Sequence, residues 1–273
     1  MIICTKGGVE VDESTIKKIE ENICEMMDRI IERRVVLEPF NETEVMNNNP
    51  FGYRLVPIEI WKGAKFERSF VTSLGQKTFE QLAKIIAEGS GASAENQYAQ
   101  DITINTWRKE KTDEILAFHR QNLRIPNWEE EINEILSLQN NRYEDLHVVF
   151  DLYIQRINGQ KEFYSMKTVK PNLDQTEVAK RSMLYMQSYD EDCEVYFALP
   201  YNPAGEGNHY RTAHTIPYRI FNMDRDDCVL IGADFWNKVG DNENTYNELL
   251  KIFDNIGKIY SNIIRKNYLG LNI

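Results

Sequence analysis

Three polar residues could carry chemistry if the chain brings them together: Asp151, Ser165 and Lys167. They fall in two neighbouring segments, 146–157 and 162–169, that are rich in β-branched and aromatic side chains, which predicts two strands. An acid and an amine held on one sheet face can share a metal ion and an attacking water. This combination is typical of a hydrolase site.

The loop between these strands, which contains Asn158-Gly159, decides which side chains share a face. A two-residue turn places Lys167 opposite Phe150 and mixes charged with apolar side chains on each face. A three-residue loop with Gly159 in the left-handed conformation places Asp151 directly opposite Ser165. We therefore predict the three-residue loop.

In this register, Arg156 faces Gln160 and the two faces of the hairpin differ clearly. The residues predicted on the apolar face are Val148, Phe150, Leu152, Ile154, Tyr164 and Met166. The other face presents Asp151, Ser165 and Lys167, and directly opposed residues have Cβ atoms about 5 Å apart. The same geometry also describes a cross-strand ion pair on a solvated face, and the hairpin alone leaves both interpretations open.

Periodic apolar residues predict the elements that position this hairpin. The predicted helices are 12–34, 76–88, 128–138, one that Asp174 opens, and 245 to about 265; further short strands are predicted at 193–199 and 228–231. Segment 40–63, with two prolines, Gly52 and three consecutive asparagines, predicts loop or turn, and 89–94 predicts a helix-ending loop. The pattern indicates an α/β fold with a mixed central β-sheet flanked by helices and a helical N-terminal region.

Composition and charge set limits on the class of protein. A net charge of −11 argues against nonspecific coating of nucleic acid, although it allows a local basic cleft. The scattered cysteines, Cys4, Cys24, Cys193 and Cys228, predict reduced thiols rather than a disulfide framework or zinc site. No apolar run would span a bilayer, and the N-terminus lacks a signal-peptide layout, so we expect a cytoplasmic protein with no membrane partner.

A series of motifs carries a resemblance to known enzymes. Residues 163–172, FYSMKTVKPN, preceded by Asp151, resemble the catalytic hairpin of the PD-(D/E)xK nuclease superfamily. The resemblance continues through FVTSLGQ at 70–76 leading to Glu80, DQTE at 174–177, YNP at 201–203, and LIG at 230–232 with Phe235-Trp236. The linked series covers most of the chain beyond Asn49 and is similar to type II restriction endonucleases of the TdeIII type. It implies a single nuclease domain over 1–273, with a helix at 12–34, a restriction-endonuclease-like catalytic core at 70–200, and a recognition loop and helix at 201–273.

The resemblance implies that Asp151 binds Mg²⁺ and that Lys167 orients or helps to deprotonate the attacking water. Ser165 stands where the superfamily usually has a second carboxylate, and a neutral hydroxyl is a poor Mg²⁺ ligand. Some related enzymes supply that acid from a neighbouring helix, which makes Glu177 and Glu80 the candidate metal ligands. Glu177 could instead form a capping box with Asp174, and Glu80 could be an ordinary solvated acid. Glu162 has the opposite strand parity, so we predict a structural role for it.

Candidate DNA contacts lie in two places. The long loop 201–219 and the segment after the catalytic strand contain groups able to meet phosphates and base edges; the candidates are Asn202, His209, Tyr210, Arg211, His214, Lys170, Asn172 and Gln175. The alternative is an irregular surface loop beside solvated charges. For Lys180 and Arg181, solvated helix charge is the ordinary interpretation.

The resemblance implies a homodimeric type II restriction endonuclease that cuts both strands of double-stranded DNA with Mg²⁺ at a short palindromic or interrupted palindromic site. It also makes GGNCC a candidate target and implies a cognate DNA methyltransferase in the same system that is not a stable partner. Two alternatives stay open at this point. One is a junction resolvase or repair nuclease on the same hairpin; the other is a DNA-binding protein whose nuclease site has decayed, with Ser165 as the lost acid.

Overall fold

A computed structural model describes residues 12–271 of the protein, so the prediction for Cys4 lies outside the described residues. The chain divides into two units. The sheet unit comprises Ala83–Tyr246, and the helical unit combines Asp12–Leu82 with the segment after Tyr246. A mixed sheet with helices and a helical N-terminal region confirm the predicted fold class.

The elements follow one another in a mixed order. The helices are α1 (Glu13–Glu32), α2 (Glu42–Asn48), α3 (Gly52–Leu55), α4 (Ile58–Ser73), α5 (Gln76–Gly89), α6 (Thr106–Arg120), α7 (Trp128–Leu136), α8 (Leu173–Tyr189), α9 (Ala233–Gly240) and α10 (Thr245–Ile263). The strands are β1 (Ser93–Asn105), β2 (Tyr143–Gln155), β3 (Lys161–Met166), β4 (Glu194–Leu199) and β5 (Val229–Ile231). Short π-helical turns, Arg33–Leu37 and Ile264–Leu269, extend α1 and α10.

The helical unit begins as predicted and then departs from the prediction. Asp12 caps α1 by accepting hydrogen bonds from the N–H groups of Ser14 and Thr15, and the apolar face of this helix is buried. The predicted loop at 40–63 is wrong, because α2, α3 and the start of α4 occupy it. Asn41 accepts from the N–H of Glu44 and Asn49 from that of Gly52. Asn41 is the N-cap of α2 and Asn49 its C-cap, so these asparagines mark the ends of a short helix instead of one long loop.

The sheet unit has five strands in the order β1-β2-β3-β4-β5. The first three strands are antiparallel neighbours, whereas β3, β4 and β5 run parallel. The predicted strands at the hairpin, β4 and β5 are confirmed within a few residues. Strand β1 and helix α6 had no sequence prediction. The first half of β1 alternates between exposed and partly buried positions and carries few apolar side chains, so its pattern is weak.

The hairpin has the predicted three-residue loop. The N–H of Arg156 donates to the carbonyl of Gln160 at 2.8 Å, and the N–H of Gly159 donates to the carbonyl of Arg156 at 2.9 Å. Gly159 has φ +89°, a conformation that glycine adopts without steric cost. The register pairs Leu152 with Tyr164, as predicted.

Phe150 departs from the predicted alternation. It was expected on the face of Tyr164, yet its ring centroid lies 5.2 Å from that of Phe163, which faces the other side of β3. Two local features account for the change. The β2–β3 ladder ends at the Tyr164 pair, and on β1 Gln97, just before the Tyr98 that pairs with Phe150, has φ +53°. The strands therefore lose regular alternation beside Asp151.

The two sheet faces are covered by different elements. Phe150 and Phe163 join a core that includes Met183 and Met186 of α8. On the opposite face, the ring of Tyr164 packs against those of Tyr196 and Phe235, at centroid distances of 5.1 and 6.0 Å. Helices α8 and α9 thus sandwich the central strands, which fixes the hairpin from both sides.

Glu162 has a structural role, as its strand parity predicted. It is 2% exposed, its carboxylate contacts the guanidinium of Arg156 at 2.7 Å and the ammonium of Lys238 at 3.3 Å, and it accepts the hydroxyl of Tyr164 at 2.7 Å. Arg156 also donates to the carbonyls of Lys238 and Val239 at the end of α9. This cluster attaches the loop end of the hairpin to α9.

Candidate active site

Asp151 and Lys167 lie together, as the hairpin register predicted. The ammonium Nζ of Lys167 is 2.7 Å from Oδ2 of Asp151 and 2.9 Å from the carbonyl oxygen of Met166. Each of the two charged side chains is only 15% exposed. The pair is therefore sheltered, which distinguishes it from an ion pair on a solvated sheet face.

The position of the pair follows from the strands. The backbone N–H of Lys167 donates to the carbonyl of Ala198, so β3 stays attached to β4 up to this residue. The pairing of β3 with β2 has already stopped at Tyr164. Asp151 and Ser165 therefore follow in register just beyond the last paired residues.

Gln97 of β1 is a neighbour of the site that the sequence did not indicate. Its side-chain Nε2 lies 3.4 Å from Oδ1 of Asp151, and its φ of +53° is unusual for a residue other than glycine. Backbone conformations of this kind cost about 1–3 kcal/mol and concentrate at functional sites. A glutamine at this point in a strand carries no such signal in the sequence.

Ser165 is 4% exposed. It belongs to β3, two residues before Lys167, and pairs in register with Phe197 of β4. Its neutral hydroxyl cannot offset the charge of a cation as a carboxylate would. The hairpin therefore contributes one carboxylate to this site.

The donor set at the site fits a hydrated Mg²⁺ ion. Asp151 offers a carboxylate and Met166 a backbone carbonyl, both hard oxygen donors, and the Lys167 ammonium already contacts both. Mg²⁺ in proteins commonly binds one or two carboxylates and completes its shell with water and substrate phosphate. Within residues 12–271, no three His, Cys, Asp or Glu side chains are grouped as a metal site would require. Any ion held here would therefore depend on water and substrate.

Glu177 is engaged by two arginines. Its carboxylate contacts Arg120 of α6 at 2.6 Å and Arg181, one turn further along α8, at 2.9 Å. Arg120 also pairs with Asp174, and Arg181 with Asp113 of α6. The cluster joins α6 to the first turns of α8. The structure places Glu177 in this network, and Arg181 is a paired residue rather than a solvated charge.

Glu80 belongs to the part of α5 that lies in the helical unit. It is 4% exposed, so it is not the solvated acid that the ordinary interpretation expects. Its metal-binding role stays a prediction.

The capping box of α8 is formed by residues that we predicted as DNA contacts. Asn172 accepts the N–H of Gln175 at 2.8 Å, and the side chain of Gln175 accepts the N–H of Asn172 at 3.1 Å. The box suggested by the sequence, Asp174 with Glu177, is therefore wrong by two residues. Lys170, just before this cap, is exposed.

The loop after β4 is anchored to the segment that follows Lys167. The hydroxyl of Tyr210 donates to the carbonyl of Val169 at 2.7 Å, and Nε2 of His214 lies 2.8 Å from the carbonyl of Pro171. Because a carbonyl only accepts, His214 carries its proton on Nε2 in this contact. Tyr210 is buried, so these two residues hold the loop rather than present it to solvent.

Three further residues of this loop differ in how accessible their side chains are to a DNA substrate. The side chain of Asn202 closes its own loop through the carbonyl of Asn208 and the N–H of Ala204. His209 is 84% exposed, and the exposed guanidinium of Arg211 stacks over the ring of Tyr218 at 3.9 Å. Of the predicted set, Lys170, Asn172, Gln175, His209 and Arg211 are exposed, but the side chains of Asn172 and Gln175 are engaged in the capping box.

A buried charged cluster beneath α8 was missed at the sequence level. The carboxylate of Glu131 contacts His119 at 2.9 Å and Lys180 at 2.5 Å, and all three side chains have 0% exposure. Lys180 also donates to the carbonyl of Ile220 at 2.6 Å. Burial by itself raises the pKa of Glu131, but His119 and Lys180 outweigh it and hold that pKa below its usual range. Lys180 is therefore not a solvated charge.

Comparison with known proteins identifies the family. The family model described as "Type II restriction endonuclease, HinfI" matches residues 15–257. The chain belongs to this family of site-specific deoxyribonucleases, which confirms the enzyme class that the motifs implied. The narrower TdeIII grouping stays a prediction.

Curated relatives agree with this assignment. The type II restriction enzyme HgiEI of Herpetosiphon aurantiacus is 30% identical over 216 residues, covering 76% of this chain and 77% of its own. The type II restriction enzyme HgiCII of the same organism is 30% identical over 227 residues, with 81% of each chain covered. The type II restriction enzyme MjaII of Methanocaldococcus jannaschii is 26% identical over 203 residues, covering 68% of this chain and 53% of its own.

None of the helices within residues 12–271 combines the length and the apolar character that crossing a membrane requires.

Proposed function

We propose that this restriction endonuclease hydrolyses double-stranded DNA with Mg²⁺ at the site formed by Asp151 and Lys167. The observation that carries the proposal is the sheltered contact of 2.7 Å between these two side chains, at the end of the β2–β3 ladder. A carboxylate beside an ammonium and a backbone carbonyl offers both a place for a hard cation and a positive charge for the phosphate.

In the proposed mechanism, water attacks the phosphorus of a phosphodiester bond, and the bridging oxygen leaves with a proton. Lys167 holds protons at Nζ, donates a hydrogen bond to orient the attacking water, and offsets the negative charge of the pentacovalent phosphate. Asp151 and the carbonyl of Met166 would hold Mg²⁺, which supplies Lewis-acid polarisation of the phosphate when bound. Gln97 restrains the carboxylate of Asp151.

The remaining proposed roles concern substrate recognition. We propose Lys170, His209 and Arg211 as DNA contacts, because their side chains are exposed and are not held in the capping box of α8 as those of Asn172 and Gln175 are. We propose a homodimer whose twofold axis matches a palindromic or interrupted palindromic site. GGNCC as the target and a cognate DNA methyltransferase in the same system rest on the resemblance alone, and the scattered cysteines support a cytoplasmic location.

The direct test is incubation of the purified protein with phage-sized DNA, with and without Mg²⁺. We expect discrete fragments only with the metal, with identical sequences around every cut end. Cutting of branched DNA but not of linear duplex would favour a junction resolvase or repair nuclease. Binding without cutting at any Mg²⁺ concentration would contradict the proposed function and favour a decayed site.

Separate substitutions of Glu80 and Glu177 should identify which of them supplies the second metal-binding carboxylate. Glu177 is already held by two guanidinium groups, so those ion pairs would have to break before its carboxylate could bind a metal ion. From these pairs we expect Glu177→Gln to lower the cleavage rate by less than about ten-fold, whereas for Glu80→Gln the resemblance implies a loss of at least about 10²-fold. The measurement is single-turnover cleavage at saturating protein. The reverse order would assign the carboxylate to Glu177.

A further inference from the structure

The helical unit contains a cavity of about 550 Å³ lined by α1, the end of α4 and the start of α5. Three cationic side chains line it: Arg29, Arg33 and Lys77. No Asp or Glu occurs among its lining residues in the described part of the chain. In a protein with a net charge of −11, an acid-free cavity with three cations differs strongly from the average surface.

The charges in this cavity are poorly compensated. Nε of Arg29 donates to the carbonyl of Glu25 at 3.1 Å, which is a neutral acceptor. Lys77 is exposed, and its ammonium has no hydrogen-bond or ion-pair partner within residues 12–271. Arg33 contacts Glu38 at 3.1 Å, and its side chain remains 56% exposed. An anion entering the cavity would therefore meet two positive charges, Arg29 and Lys77, that form no ion pair with a carboxylate of the described residues.

A second cavity, of about 640 Å³, adjoins the first and shares Arg33 and Thr72 with it. It adds the cations Lys65 and Arg68 of α4. Two acids, Glu38 and Glu44, also line it, and the carboxylate of Glu38 is taken up by the guanidinium groups of Arg33 and Arg34. The cations thus extend along α1 and α4 instead of surrounding a single point.

We infer that these two cavities, here called the helical cleft, bind successive phosphates of a DNA backbone. This inference rests on the proposed function, and it adds a place in the helical unit where the substrate is held independently of its sequence. An extended row of cations suits a polyanion with regularly spaced charges better than one small anion. The first turn of α5 begins in the lining at Gln76 and adds N–H groups of favourable polarity.

The test is the double variant Arg29→Gln/Lys77→Gln, measured for binding to a fluorescent duplex of arbitrary sequence without divalent metal and over a range of salt. Each lost phosphate contact removes about 0.9 from the slope of log affinity against log salt concentration. We expect a slope shallower by about two and an affinity at low salt reduced by at least about five-fold.

The matched control is Lys17→Gln/Lys18→Gln, which removes the same charge from exposed positions of α1 outside the cavity. We expect this control to keep the slope of the unmodified protein. Equal slopes and affinities for the two double variants would overturn the inference. Inorganic phosphate that raises the melting temperature only when Arg29 and Lys77 are intact, with DNA binding unchanged, would indicate a free-phosphate site and would also overturn it.

This assay separates the inference from the proposed function, because it needs neither metal nor cleavage. Unmodified protein that binds duplex through the helical cleft but never cuts it contradicts only the proposed nuclease activity. Unmodified protein that cuts DNA while the double variant binds normally contradicts only the helical cleft.

Discussion

Lys167→Met is expected to reduce the rate of DNA cleavage by at least about 10³-fold while the protein remains folded. Methionine keeps most of the length and volume of lysine but removes the ammonium that lies between Asp151 and the carbonyl of Met166. The variant therefore loses the group that orients water and offsets charge on the phosphate. Single-turnover cleavage of a defined duplex, with Mg²⁺ and excess protein, measures this loss directly.

Lys161→Met is the matched control for this experiment. Lys161 begins β3, the strand that ends just before Lys167, and also forms an ion pair, with Asp190 at 2.8 Å, but its side chain is 47% exposed. We expect this variant to cleave DNA at a rate within about three-fold of the unmodified protein, since exposed pairs contribute at most about 1 kcal/mol. Equal cleavage by the Lys167 and Lys161 variants would exclude a catalytic role for Lys167.

Lys180→Ala is expected to lower the free energy of unfolding of the sheet unit by about 3–5 kcal/mol. The substitution leaves the fully buried carboxylate of Glu131 without its closest cation and the carbonyl of Ile220 without its donor. Removing one partner of a buried pair is costly because the remaining charge is not solvated. Urea denaturation followed by circular dichroism measures the change.

Two further variants test whether the unpaired buried charge causes the loss of stability in Lys180→Ala. Lys161→Ala breaks an exposed pair and should cost no more than about 1 kcal/mol. The double variant Lys180→Met/Glu131→Leu removes both charges and should recover most of the lost stability, since a buried pair can often be replaced by apolar groups at little cost. A double variant as unstable as Lys180→Ala would contradict this explanation.

The same cluster predicts a dependence of stability on pH. The pKa of Glu131 is lower in the folded protein than in the unfolded chain, because burial, which raises it, is outweighed by His119 and Lys180. Its contribution is therefore complete above the ordinary pKa of glutamate, about 4.3, and is lost as the pH falls through the lower folded value. Glu131→Gln should therefore reduce the loss of unfolding free energy at acid pH. The same loss in this variant and in the unmodified protein would contradict the role given to Glu131.

The hairpin could be predicted from the sequence because its determinants are local. Asn158-Gly159 specifies the loop, and strand parity then places Asp151 on the face of Lys167, as the contact of 2.7 Å confirms. The prediction failed for Phe150, where the unusual backbone of Gln97 and the end of the ladder override parity. That geometry depends on β1, which lies far away in the sequence.

Contacts between distant segments account for the other failures. From the sequence, Lys180 is an ordinary exposed helix charge, but in the structure Glu131 of α7 pairs with it. Glu177 is a candidate metal ligand in the sequence, but in the structure Arg120 of α6 pairs with its carboxylate. Tyr210 is a residue type expected in a recognition loop, but it is buried and donates to Val169 in the segment that follows Lys167. In each case the sequence shows the residue type, but the partner that determines its role is brought close only by the tertiary structure.

The most direct test of the proposed catalytic centre is cleavage by Asp151→Asn over a range of Mg²⁺ concentrations. Asparagine preserves the shape of the side chain but removes the one carboxylate that contacts Lys167 within residues 12–271. We expect a protein that melts within a few degrees of the unmodified enzyme and still binds duplex, yet yields no fragments above background at any Mg²⁺ concentration. Discrete fragments produced at a rate close to that of the unmodified protein would contradict the assignment of this hairpin as the catalytic site.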